Sequence, residues 1–141
     1  MIEDMLRLGH LVKTAPDIGK AARSLALAQN KIEKAGEEYD AGIFDNALVG
    51  AYTAMFHAAR ALLFRDGFKE RNHHSLYEYL RERYKDRLGA GLINELNVLR
   101  TMRHKVIYGD DDVNAKEIRE AEAADAICVA KAFLDSVKKL V

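Results

Sequence analysis

Apolar residues recur along most of this chain at intervals of three and four, the period of helices with one buried face. The run LINELNVLRTMRHKVIYG, residues 92 to 109, carries the pattern with the most chemistry in it. With each residue advancing about 100°, Leu92, Leu96, Leu99, Val106 and Ile107 gather into one stripe, and Arg103 falls in its middle. A guanidinium keeps its charge, so a position aimed at the core must also supply hydrogen-bonding partners or an opening to solvent. Arg100, His104 and Tyr108 step along the adjoining face at intervals of four, and Gly109 closes the helix. A purely structural account competes: Arg103 lays its stem along the core and extends its head to water, while Arg100 and His104 favour the negative end of the helix dipole.

The same reading predicts the other elements. Met5, Leu8 and Leu11 or Val12 mark a short docking helix within residues 1 to 12. Thr14 as a cap and Pro16 as an early helical position open a long helix to about Ala41, with Ala21, Leu25, Ala28, Ile32, Ala35 and Tyr39 inside and Gly42 at its end. Residues 44 to 66 are apolar around nearly the whole circumference, which marks a central helix with neighbours on several sides. Its small residues, from Ala47 and Gly50 to Ala61, admit a close backbone, while Met55 and Leu62 add bulk elsewhere.

Gly67 stops that helix, and a polar connection leads to a shorter one over residues 75 to 86, followed by a loop at residues 89 to 91. The acidic turn DDDVN, with Asp112 or Asn114 as a cap, opens a last helix over residues 115 to 140. Its stripe reads as Ile118, Ala121, Cys128, Val129 and Ala132, with Asp125 among them as a structural polar partner for Arg103; Lys131 or solvent could serve Asp125 instead. No strand-like alternation of useful length occurs. The prediction is all-α: one domain over residues 1 to 141, an antiparallel four-helix bundle with one or two extra short helices.

Composition narrows the function classes. About half of the 141 residues are apolar, enough for one substantial core. Lysine plus arginine equal aspartate plus glutamate at 22 each, so no global positive field holds nucleic acid, and any RNA contact is local. The single cysteine, Cys128, excludes an internal disulfide and reads as a small core residue. His73 and His74 adjoin in a loop without a carboxylate or third histidine at ligand spacing, so neither a metal nor a cofactor is assigned. No stretch reads as a signal peptide or a membrane span, which leads to the expectation of a soluble cytoplasmic protein without a membrane partner.

Two stretches resemble one family. AYTAMFHAARALLFRDG, followed after a short gap by HHS, is similar to the second-helix signature of HEPN domains, particularly small stand-alone prokaryotic proteins with a pattern close to AYYAMFHAARALL. LRTMRHKVIYGDDD is similar to a later helix of the same proteins. The resemblance covers residues 17 to 141 and implies a HEPN-type helical bundle, a homodimer, and a minimal nucleotidyltransferase as partner in a toxin and antitoxin pair. It also implies a metal-independent ribonuclease site in active members, made of an arginine, four to six residues and a histidine. Carried onto this chain, the arginine is Arg103 and the residue five positions later is Tyr108. His104 follows Arg103 directly, and Arg100 to His104 leaves only three residues between, so neither pairing meets the spacing.

The candidate catalytic residues are therefore Arg103, His104 and Tyr108, and the candidate nucleotide or phosphate ligands are Arg100, Arg103, His104 and Tyr108. His57 and His74 are candidates for the surrounding shell. Three functions remain open: a nucleotidyltransferase partner that binds nucleotide or RNA phosphate with degenerate or absent cleavage; an active ribonuclease toxin that draws its histidine from His104, His57, His73 or His74; and a helical scaffold without a ligand.

Overall fold

The structure is a computed structural model and describes residues 1–109 and 117–141. The order of elements is α1 (Ile2–Arg7), β1 (Leu11–Lys13), α2 (Ile18–Asp40), α3 (Phe44–Asp66), β2 (Phe68–Glu70), α4 (His73–Arg83), α5 (Lys85–Leu88), α6 (Ala90–Tyr108) and α7 (Glu120–Lys138). Four long helices, α2, α3, α6 and α7, form an all-α bundle, and α1, α4 and α5 are the shorter additions.

The bundle is built around α3, whose bounds match those read from its apolar circumference. Met55 and Leu62 are fully buried, as are Ala47, Ala54, Ala58 and Ala61. The small residues bring α2 close: a Cβ placed on Gly50 would stand 3.2 Å from the Cβ of Ala35. By length and composition α3 could cross a membrane, contrary to the sequence expectation, yet 67% of its most apolar stretch is buried inside this fold. Its apolarity is accounted for by neighbours on several sides.

The start of α2 lies later than predicted. Asp17, rather than Thr14, is the cap, its carboxylate accepting from the Lys20 amide at 2.9 Å. The residues before it are held to the end of α3 instead: the Thr14 amide donates to the Gly67 carbonyl and the Asp17 amide to the Phe64 carbonyl, each at 2.9 Å. This tether continues a two-stranded antiparallel ribbon that the sequence reading did not anticipate, with Leu11 opposite Glu70, Val12 opposite Lys69 and Lys13 opposite Phe68. Strands of three residues are too short to display alternation. The short N-terminal helix docks, burying Ile2 and Met5, but it ends at Arg7: Leu8, expected in its stripe, is 61% exposed, and Leu11 and Val12 lie in β1; the Ile2 amide donates to Glu82 Oε2 at 2.8 Å.

Asn72 starts α4 two residues earlier than predicted, its side chain accepting from both the amide and the hydroxyl of Ser75 at 2.8 Å. Beneath α4, Asp66 Oδ2 accepts from Tyr79 Oη at 2.7 Å and from Tyr84 Oη at 2.5 Å. The segment read as a loop at residues 89 to 91 contributes only Gly89 as a turn, at φ 88°, and Ala90 already begins α6.

The buried face of α7 differs from the predicted stripe. Ala123, Ala126, Ile127, Ala130, Phe133, Leu134 and Val137 are buried, whereas Ala121, Asp125, Cys128 and Ala132 are exposed. Alanines occur on both sides of this helix and carry little directional information, so the bulky Phe133 and Leu134 set the buried side. The predicted caps Asp112 and Asn114, and the start of the last helix at residue 115, lie outside the described residues; residues 117–119 precede the helix without being part of it.

Candidate functional site

On α6, the residues facing the core are Ile93, Leu96 and Leu99, with Leu92 and Val106 half-buried and Ile107 47% exposed. The polar residues divide across this helix. Arg100 and Arg103 are half-buried, while His104 and Tyr108 are exposed. The latter two pack ring against ring, with centroids 4.7 Å apart. Residues five apart on a helix are separated by about 140° around its axis, so Tyr108 and Arg103 leave α6 in different directions.

Arg103 points toward α3, its guanidinium carbon 5.8 Å from the centre of the Tyr52 ring. Tyr52 is 2% exposed, and its hydroxyl is 2.5 Å from Nδ1 of His73, the first residue of α4. The imidazole is sandwiched further by Phe56, stacked on it at 4.3 Å with the planes 16° apart. Arg100 lies alongside and donates from Nε and a terminal nitrogen to Asn97 Oδ1 at 3.1 and 2.9 Å. The site thus draws Tyr52 and Phe56 from α3, His73 from α4, and Arg100 and Arg103 from α6.

One turn beyond Phe56, Arg60 extends this surface. Its guanidinium lies over the Phe64 ring at 4.9 Å and near the Phe56 ring at 5.6 Å. Arg60 Nε is 2.9 Å from Glu70 Oε1, an ion pair by distance whose alignment is poor for a hydrogen bond. Glu70 Oε2 is buried without a hydrogen-bond partner among the described residues. Burial raises the Glu70 carboxyl above its ordinary range, with the opposing pull of Arg60 among the influences that moderate the rise.

The electrostatics of the cluster follow from burial and nearby arginines. Burial pushes the Tyr52 phenol up to about 12, against the opposing influence of Arg103 and Arg100. Burial also lowers His73, and here Arg103, Arg100 and Arg60 act in the same direction, so the imidazole is held neutral. Among the described residues neither Arg100 nor Arg103 has a carboxylate partner. Two guanidiniums without a carboxylate partner at the edge of an aromatic cluster are suited to an anion with several oxygens.

The other candidates stand elsewhere. Asp125 is exposed on α7 and makes no hydrogen bond or ion pair with Arg103. The burial required of such a pair is absent on the Asp125 side. His57 is half-buried, its ring edge-on to Phe56 at 5.6 Å and its carbonyl accepting from Ser24 Oγ at 2.7 Å. His74 is exposed and lies 3.7 Å from Glu78. Of the two adjoining histidines it is His73, weighed in the sequence only as one of four histidines for an active ribonuclease, that joins Arg103, along with Tyr52 and Phe56, which the sequence reading did not propose. The spacing of four between Tyr52, Phe56 and Arg60 on α3 was the available signal, masked by the helix's general apolarity.

A search of curated proteins returns no match. The family model for the HEPN domain matches residues 21–140, which runs from within α2 past the end of α7 and contains every residue of the cluster. Membership in that family implies a nucleotide- or RNA-related role, the class of ligand that paired arginines suit. On this match over most of its length, the chain belongs to the HEPN domain family.

Proposed function

We propose that this protein holds a phosphate of a nucleotide or RNA on Arg100 and Arg103, and acts as the dimeric partner of a minimal nucleotidyltransferase in a toxin and antitoxin pair with degenerate or absent ribonuclease activity. The observation that carries the reading is the residue five positions after Arg103: it is Tyr108, 64% exposed and packed on His104, and not a histidine, while Arg103 itself is half-buried over Tyr52. The spacing at which active HEPN members carry a histidine ends here in a tyrosine, a poor general base beside an imidazole. The arginines remain able to bind what they no longer help to cut.

The test is RNA cleavage in the presence of a chelator. The wild-type protein should cut little or nothing, and Tyr108→His should bring cleavage up if the helix geometry is that of active members. A wild type that already cuts, and loses activity on His104→Ala but not on Tyr108→Phe, would assign His104 as the working histidine and sink the proposal. Assembly is tested separately: light scattering should give a dimer at micromolar concentration, and co-expression with a minimal nucleotidyltransferase should give a stable complex. A persistent monomer counts against the assembly.

One observation favours a second reading, an active ribonuclease whose histidine comes from α4. His73 adjoins Tyr52, on which Arg103 rests. Chelator-resistant cleavage that disappears with His73→Ala would select it.

A further inference from the structure

The hydrogen-bonding state of His73 follows from its surroundings. The Tyr52 hydroxyl is buried and keeps its proton, and a buried phenol donates where it can. His73 Nδ1 is the hydrogen-bond partner it has. Nδ1 of the neutral ring therefore accepts, and the ring's own proton resides on Nε2. Phe56, stacked at 4.3 Å, fixes the plane of the ring, and Nε2, which has no protein partner among the described residues and is not among their buried unpartnered atoms, is open to solvent. A solvent-accessible N–H donor on a ring that lies near two guanidiniums without carboxylates is suited to an anion.

The geometry points to His73 as a third phosphate ligand beside Arg100 and Arg103, its tautomer fixed by Tyr52 so that Nε2–H is presented to the terminal phosphate of a nucleotide or an RNA end. The inference deepens the phosphate-binding reading and rests on it. A terminal phosphate is favoured over an internal diester on two counts. It offers three outer oxygens, one for each ligand, and it carries close to two negative charges at neutral pH, matching the two arginines. A diester offers two such oxygens and one charge. Tyr52 acts here as a positioning residue. It touches no ligand and works through the imidazole.

The experiment uses the full chain with its histidine nitrogens labelled, followed by NMR while three probes are added: adenosine 5′-monophosphate, a 5′-phosphorylated oligoribonucleotide, and the same oligonucleotide with a 5′-hydroxyl. In the free protein His73 should show an unprotonated Nδ1 and a protonated Nε2. The two phosphorylated probes should shift Nε2, and the 5′-hydroxyl probe should bind about tenfold more weakly than its phosphorylated form. His73→Ala should weaken the monophosphate about tenfold, while His73→Gln, which keeps a side-chain N–H donor, should stay within about threefold of wild type. Tyr52→Phe should give a mixture of His73 tautomers and weaker binding, with thermal melting confirming that the variant is folded.

The outcomes separate the two claims. A protonated Nδ1 in the free protein, or unchanged binding in His73→Ala while Arg103→Leu abolishes it, overturns the role of His73 and leaves the arginine site standing. Equal binding of the 5′-hydroxyl oligonucleotide overturns the terminal phosphate. A wild type that binds none of the probes overturns both this inference and the phosphate-binding reading beneath it.

Discussion

At the scale of single residues, the strongest polar constraint lies outside the candidate site. Asp66 accepts from two tyrosine hydroxyls, and both Tyr79 and Tyr84 are essentially inaccessible to solvent. Burial and the bond to Asp66 hold both phenols above their ordinary range, so they remain donors. Asp66→Ala leaves two buried donors without an acceptor and should cost about 2–4 kcal/mol in urea unfolding. A loss well below about 1 kcal/mol would mean that water replaces the carboxylate. A second expectation concerns acid. His57 and His73 are both lowered, first by burial and then by nearby cations, so below about pH 6.5 the unfolded chain binds protons that the folded one refuses. Their contribution to stability is thus lost as pH falls from there, whereas raised Glu70 works in the opposite sense. Melting temperature should drop between about pH 7 and about pH 5.5, and replacing both histidines by glutamine should flatten that drop. An unchanged slope in the double variant would assign the acid sensitivity to other groups. The sequence made Arg100 and Arg103 visible because charge interrupting an apolar stripe demands an explanation. It could not single out His73, whose place beside them depends on how α4 lies against α6.

At the scale of elements, bulk and chain punctuation were the legible signals. Residues 44 to 66 were recognisable as the hub because apolar residues run around nearly the whole helix, small ones on one face and Leu48, Met55 and Leu62 on another, and Gly67, at φ 88°, ends the helix where a left-handed residue is needed. The face of α7 was misread because alanine fits a buried and an exposed position alike; Phe133 and Leu134 were the better guides. The ribbon of β1 and β2 left no trace in hydropathy, since its pairing is between segments far apart in the chain and each strand is three residues long. Close approach of α2 to α3 can be tested directly. Gly50→Val introduces bulk where a Cβ alone would meet Ala35 at 3.2 Å, and should cost about 1–3 kcal/mol while leaving helical content unchanged. A neutral result would show that the two helices slide apart easily.

At the scale of the whole molecule, no single element makes the candidate site. Helix α3 gives its aromatic floor, α6 its charge and α4 its imidazole, so the site exists only once these three have packed together. Arg103 and Tyr108, adjacent in the linear motif, are separated by the helix that carries them, which is why spacing alone did not decide the chemistry. The ribbon also has a bearing on how the protein can be shortened. It joins residues before the family match to β2, and β2 leads in three residues to His73. The Arg71 amide donates to the His10 carbonyl at 2.9 Å, so the leader grips the connection immediately ahead of the imidazole. A chain trimmed to begin at the matched residue 21 would keep α3, α6 and α7 whole and α2 but for its cap and first three residues, and would still read as helical by circular dichroism. It should nevertheless lose the anchored His73 signal and bind phosphate more weakly, because the first twenty residues act as a splint on a joint that the boundary of the family match leaves unsupported.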